Sequence, residues 1–211
     1  LSDIASGEQH RRDGVIVAPF DTELFGHWWF EGPDWLEAVY RQLARDGRGV
    51  RPVTASRHLA DHPAKQPVRL SSGSWGANGD FSMWLGDATL WTWQLLWPLE
   101  EAFWDVAPSV LTSSAAAPVL AQAARELLLA QASDWQFIIS TGAAADYAER
   151  RFRQHCDDAG ALVAALAPGS EGGLPAAQVR AEELARRDQV FPDILPAVAA
   201  ALGGSRSLVF E

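Results

Sequence analysis

Past residue 80 the sequence carries helical patterns only, and this sets what the chain can become. Segments over 88–104, 118–132, from 143 past Phe152, and 175–187 reaching toward Val190 are dominated by Ala, Leu, Glu and Arg. These are good helix formers. Upstream the texture differs. Residues 15–20 form a short β-branched and apolar run that reads as a buried strand, and residues 50–54 read as a second one. Between them Gly32-Pro33 opens a predicted helix that carries Trp35, Leu36, Val39, Tyr40 and Leu43 at helical spacing and stops at Gly47. A helix or turn follows over 56–61. Residues 65–80 contain Pro67, Gly73, Gly76 and Gly79 and read as a loop or linker.

The expected fold class is therefore α/β followed by all-α, with a boundary near residue 70. Residues 1–70 supply about two strands, whereas a complete β/α barrel takes ~250 residues. The first part thus reads as the last strands and helices of an incomplete (β/α) barrel, and residues 71–211 as a C-terminal helical domain. Residues 167–173 read as a flexible loop, and no internal repeat is visible.

Composition narrows the function classes. The formal charge of −10 argues against a nucleic-acid partner, whose binding rests on cationic contacts. No apolar run reaches the ~18–20 residues that span a bilayer, so no membrane partner is expected. The first 13 residues are polar and charged and do not resemble a signal peptide. With the lone thiol, Cys156, this makes a cytoplasmic location the expectation and rules out an intrachain disulfide or a Cys-rich zinc site. The informative anomaly is 10 Trp and 9 Phe against 2 Tyr. An indole presents a flat apolar face and one N–H donor, which suits the C–H face and hydroxyls of a sugar. Filling a core is the competing use.

Three stretches concentrate chemistry. The first is Phe20-Asp21-Thr22-Glu23-Leu24-Phe25-Gly26-His27-Trp28-Trp29. Here a predicted strand runs into acids, an imidazole and indoles, and ligands of parallel β/α folds bind at the carboxyl ends of strands. A carboxylic acid enclosed by aromatics is expected to hold a proton near neutral pH, as a general acid for glycosidic cleavage must. Against this stand two alternatives. In one, Asp21 and Glu23 are loop caps and the indoles are core. In the other, Asp21, Glu23 and His27 ligate a metal, although no second His lies at a supporting spacing.

The second stretch is Gly73-Ser74-Trp75-Gly76-Ala77-Asn78-Gly79 followed by Trp84. It lacks the ending of a phosphate-binding loop and contains no nucleophile elbow. Its glycines instead suit a tight loop that exposes a Trp. The third is Ala132-Ser133-Asp134-Trp135-Gln136-Phe137, in which Asp134 is a candidate helix N-cap. Trp93, Trp97 and Trp104 fall on one helical stripe and read as core. Cys156 reads as a buried or neutral thiol, and His10, His58, His62 and His155 have no diagnostic spacing.

The first stretch resembles the fourth sequence motif of glycoside hydrolase family 57, F-D-x-E-L-F-G-H-W-W. The second resembles the G-S-W-G-x-x-G-x-x-x-x-W pattern of that family's branching enzymes. The third resembles the fifth motif, S-S-D-W-Q-F, with Ala132 in place of the first Ser. The resemblance implies that Asp21 is the catalytic acid/base, with Glu23 and His27 supporting it. It implies that Trp75, Trp84, Asp134 and Trp135 bind substrate, and it implies no metal and no cofactor. The expected partner is an α-glucan such as amylose or glycogen, processed by a retaining mechanism.

The nucleophile Glu belongs to an earlier motif of the family, so the N-terminal half of the same enzyme is a further expected partner. Residues 187–192 resemble the family's closing helix and turn. A 4-α-glucanotransferase or α-amylase of the same family is the alternative to branching, and a non-catalytic glucan-binding half is the alternative of another class.

Overall fold

Several helices carry a proline in their first turn, as the sequence leads one to expect. The computed structural model describes residues 15–46, 49–76 and 78–204. The N-terminal stretch read as unlike a signal peptide, Gly47 as a helix stop and Ala77 of the glycine-rich loop lie outside the described residues. The chain divides into two compact units, Leu1–Leu70 and Ser71–Glu211.

In the first unit, α1 spans Gly32–Asp46 and α2 spans Ala55–Asp61. Thr54 caps α2, its hydroxyl accepting the Arg57 amide at 3.2 Å. Neither 15–20 nor 50–54 is a strand, and the described residues of this unit contain no strand at all. The expected α/β character is therefore not confirmed among the described residues, for a physical reason. A strand exists only against a hydrogen-bonding neighbour, and none of the described residues supplies one. Val15, Ile16, Val17 and Phe20 remain largely exposed.

The second unit is all helical. After the single turn α3 (Ser82–Leu85) come α4 (Leu90–Val110), α5 (Ala117–Ala130), α6 (Asp134–Thr141), α7 (Ala145–Leu166), α8 (Leu174–Arg187) and α9 (Ile194–Gly204). Pro118 and Pro175 occupy the first turns of α5 and α8, where no amide donor is needed. Gly142 ends α6 with φ +71° and donates its amide to the Ile138 and Ile139 carbonyls. The single turn α3 and the helix α9 were not foreseen, α9, mostly Ala and Leu with Pro196, showing no polar face to mark it. The N-cap of α6 is Ser133, one residue before the Asp134 cap position predicted for it.

The central element is α5, buried on nearly every side by α4, α7, α8 and α9. Its alanines, Ala121, Ala123 and Ala124, let the neighbouring helices come close, while Val119, Leu120 and Leu127 fill the space between them with Phe103, Leu162 and Leu184. A smaller cluster of Leu96, Ala130, Phe152 and Cys156 lies under Trp91, Trp93 and Trp135. Cys156 is 8 % exposed, and burial pushes its thiol up to about 12. An alkylating reagent at pH 8 is expected to leave the native thiol untouched and to modify it only in urea. Mass spectrometry of the two samples checks this.

The indole stripe on α4 departs from its core reading. Trp93 and Trp104 are half-buried, but Trp97 is 55 % exposed. No helix among the described residues is long and apolar enough to cross a membrane.

Candidate functional site

In the first unit Asp21 sits at the N-cap of a 3₁₀ turn, Thr22–Leu24. Its carbonyl accepts the Leu24 amide at 3.1 Å, but its side chain makes no capping hydrogen bond. The loop-cap alternative therefore does not describe the carboxylate. Nor does the expected enclosure by aromatics: Asp21 is exposed, as are Glu23 and His27. Instead the rings pack on one another. Phe20, Phe25, Trp29 and Trp35 form a cluster with centroids 4.9–6.5 Å apart, within the range of favourable aromatic pairs.

The turn is shaped to permit that cluster. Gly26 adopts φ +89°, and the Trp29 amide returns to the Leu24 carbonyl at 2.9 Å. Gly32 leaves room for the rings, since a Cβ there would lie 2.9 Å from the Phe25 ring. The His27 ring lies tilted against Trp28 at 5.2 Å, and Trp28 is 79 % exposed. The unit thus holds a hydrogen-bonded turn that displays an acid, an imidazole and an indole at its surface.

In the second unit the glycine-rich loop does what its composition suggested. Gly76 and Gly79 take φ +112° and +60°, values that suit glycine. The Ser74 amide bonds the Gly79 carbonyl at 3.1 Å, and the Ser74 hydroxyl accepts the Phe81 amide at 2.8 Å. Trp75 emerges 63 % exposed. Asp80 folds back on the same loop, and hydrogen bonds from Ser82, side chain first, hold its carboxyl below the usual carboxylate range.

The structure brings the second and third stretches together. The Trp75 ring meets the Trp84 ring edge-on at 6.2 Å and that of Phe137 at 5.6 Å. The Trp84 Nε1–H donates to the Ser133 carbonyl at 3.1 Å, and the Ser140 hydroxyl to the Met83 carbonyl at 2.6 Å. The Trp84 N–H is therefore already taken within the protein, which leaves its ring as the free part of the side chain. Phe137 was not singled out beforehand, although it ends the third motif and shares a helix face, at i+3, with Asp134. Asp134 is exposed in the first turn of α6, and Ser133 is the N-cap residue in its place. An acidic side chain in that turn is favoured by the helix dipole.

Trp135 has different neighbours. It is half-buried, donates Nε1–H to the Leu129 carbonyl at 2.7 Å, and lies against Tyr147 and His155 at 6.3 and 6.1 Å. Beneath it runs a buried polar network invisible to spacing arguments. Glu126 and His155 are 0 % and 1 % exposed, and Glu126 Oε2 lies 2.7 Å from His155 Nδ1. Arg151 donates to His155 Nε2 at 3.0 Å, and a guanidinium cannot accept, so the imidazole proton sits on Nδ1 and is donated to Glu126.

Glu126, His155 and Asp188 are the one set of three potential metal ligands gathered among the described residues. Arginines already serve that set. Arg187 reaches Glu126 at 3.6 Å and Asp188 at 2.5 Å, and it bonds Asp158 at 2.8 Å. A cation would have to displace these guanidinium contacts. Asp21, Glu23 and His27 are not gathered in this way.

Residues 98–198 match the family model described as 1,4-alpha-glucan branching enzyme, C-terminal. The chain is 45 % identical over 157 residues to 1,4-alpha-glucan branching enzyme TK1436 of Thermococcus kodakarensis, covering 72 % of this chain and 22 % of that protein. It is 36 % identical over 173 residues to the probable 1,4-alpha-glucan branching enzyme Rv3031 of Mycobacterium tuberculosis, covering 79 % and 32 %.

Among solved structures, it resembles the GH57-type branching enzyme of Pyrococcus horikoshii with a TM-score of 0.76 and 37 % identity, over 90 % of this chain and 36 % of that one. The α-amylase AmyC of Thermotoga maritima is similar at a TM-score of 0.59 and 34 % identity, over 85 % and 32 %. The chain thus spans between about a fifth and a third of the length of these curated relatives, 22 % and 32 %.

Proposed function

The chain belongs, as a C-terminal region, to the branching enzymes of glycoside hydrolase family 57, and from this we propose that it supplies the acid/base and part of the glucan-binding wall of a retaining 1,4-α-glucan branching enzyme. The observation that carries the reading is the meeting of Trp75, Trp84 and Phe137, which joins two motifs far apart in sequence into one exposed aromatic wall.

In the proposed reaction a glutamate from the N-terminal half attacks the anomeric carbon of an α-1,4-linked glucan. Asp21 protonates the departing glycosidic oxygen, and a covalent glycosyl-enzyme forms. Asp21, now a carboxylate, takes the proton from the 6-hydroxyl of an acceptor chain as that oxygen bonds to the anomeric carbon, the glycosyl–glutamate bond breaks and the glutamate leaves as a carboxylate. Retaining enzymes set the two carboxyls ~5–5.5 Å apart. Glu23 and His27, close to Asp21 in sequence and exposed on the same turn, are its proposed supporting residues. Transfer must outrun hydrolysis, and an aromatic wall favours it by holding the acceptor close and excluding water.

Asp134 is proposed to bond sugar hydroxyls on the face of α6 that carries Phe137. Trp135 is proposed to contribute from the half-buried side of the same helix. The site residues call for no metal or cofactor in this reaction, and the expected location is the cytoplasm. The likeness to AmyC keeps hydrolysis as a second reading. NMR of the products separates the two: α-1,6 signals indicate branching, and reducing sugar alone indicates hydrolysis.

In the full-length enzyme, Trp75→Ala is expected to raise KM for amylose about tenfold, the loss of roughly 1.4 kcal/mol of stacking. Initial rates over a range of amylose concentrations check this, and an unchanged KM would remove Trp75 from the glucan wall.

A further inference from the structure

The hydrogen bonds behind the aromatic wall close on themselves. Gln136, in the motif-five helix, is 2 % exposed, and an amide so far from water needs partners. Its Nε2 donates to the Thr92 hydroxyl at 3.1 Å. Thr92, fully buried, passes its own hydroxyl proton to the Thr89 carbonyl at 2.7 Å. Thr89, equally buried, directs its hydroxyl to the Trp84 carbonyl at 2.7 Å, with the Gly86 carbonyl at 3.1 Å. Trp93 Nε1–H donates to the same Trp84 carbonyl at 2.8 Å. The circuit then returns, because the Trp84 indole N–H donates to Ser133 at the start of α6.

Trp84 is thus held at both ends, its carbonyl through α4 and its indole through α6. A ring fixed by its backbone alone could still turn about its side-chain torsions. Holding the N–H as well defines the plane of the indole, which the Trp75 ring meets edge-on at 6.2 Å. The hydroxyls of Thr89 and Thr92 are each used to full effect, one proton each, within a region closed to water. Networks of this kind rigidify when every member is satisfied, and no buried side-chain polar atom among the described residues lacks a partner.

We infer that Gln136, Thr92 and Thr89 are positioning residues for the Trp84–Trp75 pair, setting the angle at which the wall receives an α-glucan chain. The inference rests on the reading of that pair as a glucan-binding wall. Neither threonine touches the wall's exposed face, so their effect passes through Trp84. Preorganising a binding surface lowers the cost of ordering it on association, and its loss is felt in substrate binding.

The test uses the full-length enzyme with amylose. Thr92→Val keeps the shape and loses the hydroxyl, and Gln136→Met keeps the length and loses the donor. Each is expected to raise KM about fivefold with kcat within about twofold of wild type. Thr92→Ser, which retains the hydroxyl, is expected to restore the wild-type KM. A purely structural role predicts the reverse split, with less folded enzyme, lower apparent kcat and unchanged KM.

Trp84→Ala is the control. If it raises KM while Thr92→Val and Gln136→Met do not, the positioning inference is overturned and the glucan wall stands. If Trp84→Ala is itself without effect, both are overturned. Should Thr92→Val fail to fold, Gln136→Met measured against Thr92→Ser gives the same decision.

Discussion

Asp21→Asn in the full-length enzyme is expected to lower glucan turnover by about 10²–10⁴-fold, the range a positioned general acid/base contributes, while leaving amylose binding close to wild type. The asparagine amide matches the carboxyl in size, so the 3₁₀ turn that holds residue 21 by its backbone is preserved. What is lost, on the proposed mechanism, is the ability to give a proton to the departing oxygen and to take one from the acceptor. Turnover is followed by the rate of α-1,6 linkage formation, and binding by the retention of the variant on an amylose column. Unchanged turnover would leave the chain as a glucan-binding half with no catalytic part, the alternative of another class. Lost turnover together with lost binding would place Asp21 among the substrate contacts rather than at the scissile bond.

How much of this was legible beforehand depends on whether the determining contacts are local. Helix starts at Pro33, Pro118 and Pro175 were legible because a proline acts on its own turn. The exposure of Trp75 followed from glycines within a few residues, which is again a local cause. The strands expected at 15–20 and 50–54 were not found, because a strand is defined by its neighbour and a sequence window does not contain the neighbour.

The indole stripe on α4 shows the same limit. Periodicity placed Trp93, Trp97 and Trp104 on one helix, but which side of α4 is covered depends on where α5 and α7 pack. Trp97 lies beyond their reach and stays exposed. Within the candidate site, the wall of Trp75, Trp84 and Phe137 joins residues more than fifty positions apart, and only the motif resemblance pointed to two of the three. His155 looked featureless because its partner Glu126 lies 29 residues away on another helix.

Glu126→Ala is expected to be a strongly destabilising change in the helical unit, by about 2–4 kcal/mol, the cost of leaving buried hydrogen-bonding groups unpaired beside a new cavity. The carboxylate is fully buried and serves three groups at once. Oε1 accepts from Gln122 at 2.9 Å, and Oε2 accepts from His155 and lies 3.6 Å from Arg187. Removing it strands the His155 N–H and the Gln122 amide away from water and leaves a cavity in the most enclosed helix of the bundle.

The damage is expected to spread through Gln122. Its carbonyl oxygen accepts from Arg125, and Arg125 in turn donates to the Val190 carbonyl at 2.7 Å, tying the chain after α8 back onto α5. Glu126→Gln keeps an acceptor for the imidazole and loses the charge facing Arg187, so a smaller loss is expected. Amide hydrogen exchange in the full-length protein reads both variants locally. Protection in α5 and α7 should fall sharply in Glu126→Ala and less in Glu126→Gln. Equal protection in wild type and Glu126→Ala would mean that the apolar contacts of α5 hold the bundle without the network. It would also mean that Trp135, which rests on His155, gains nothing in placement from the charges beneath it.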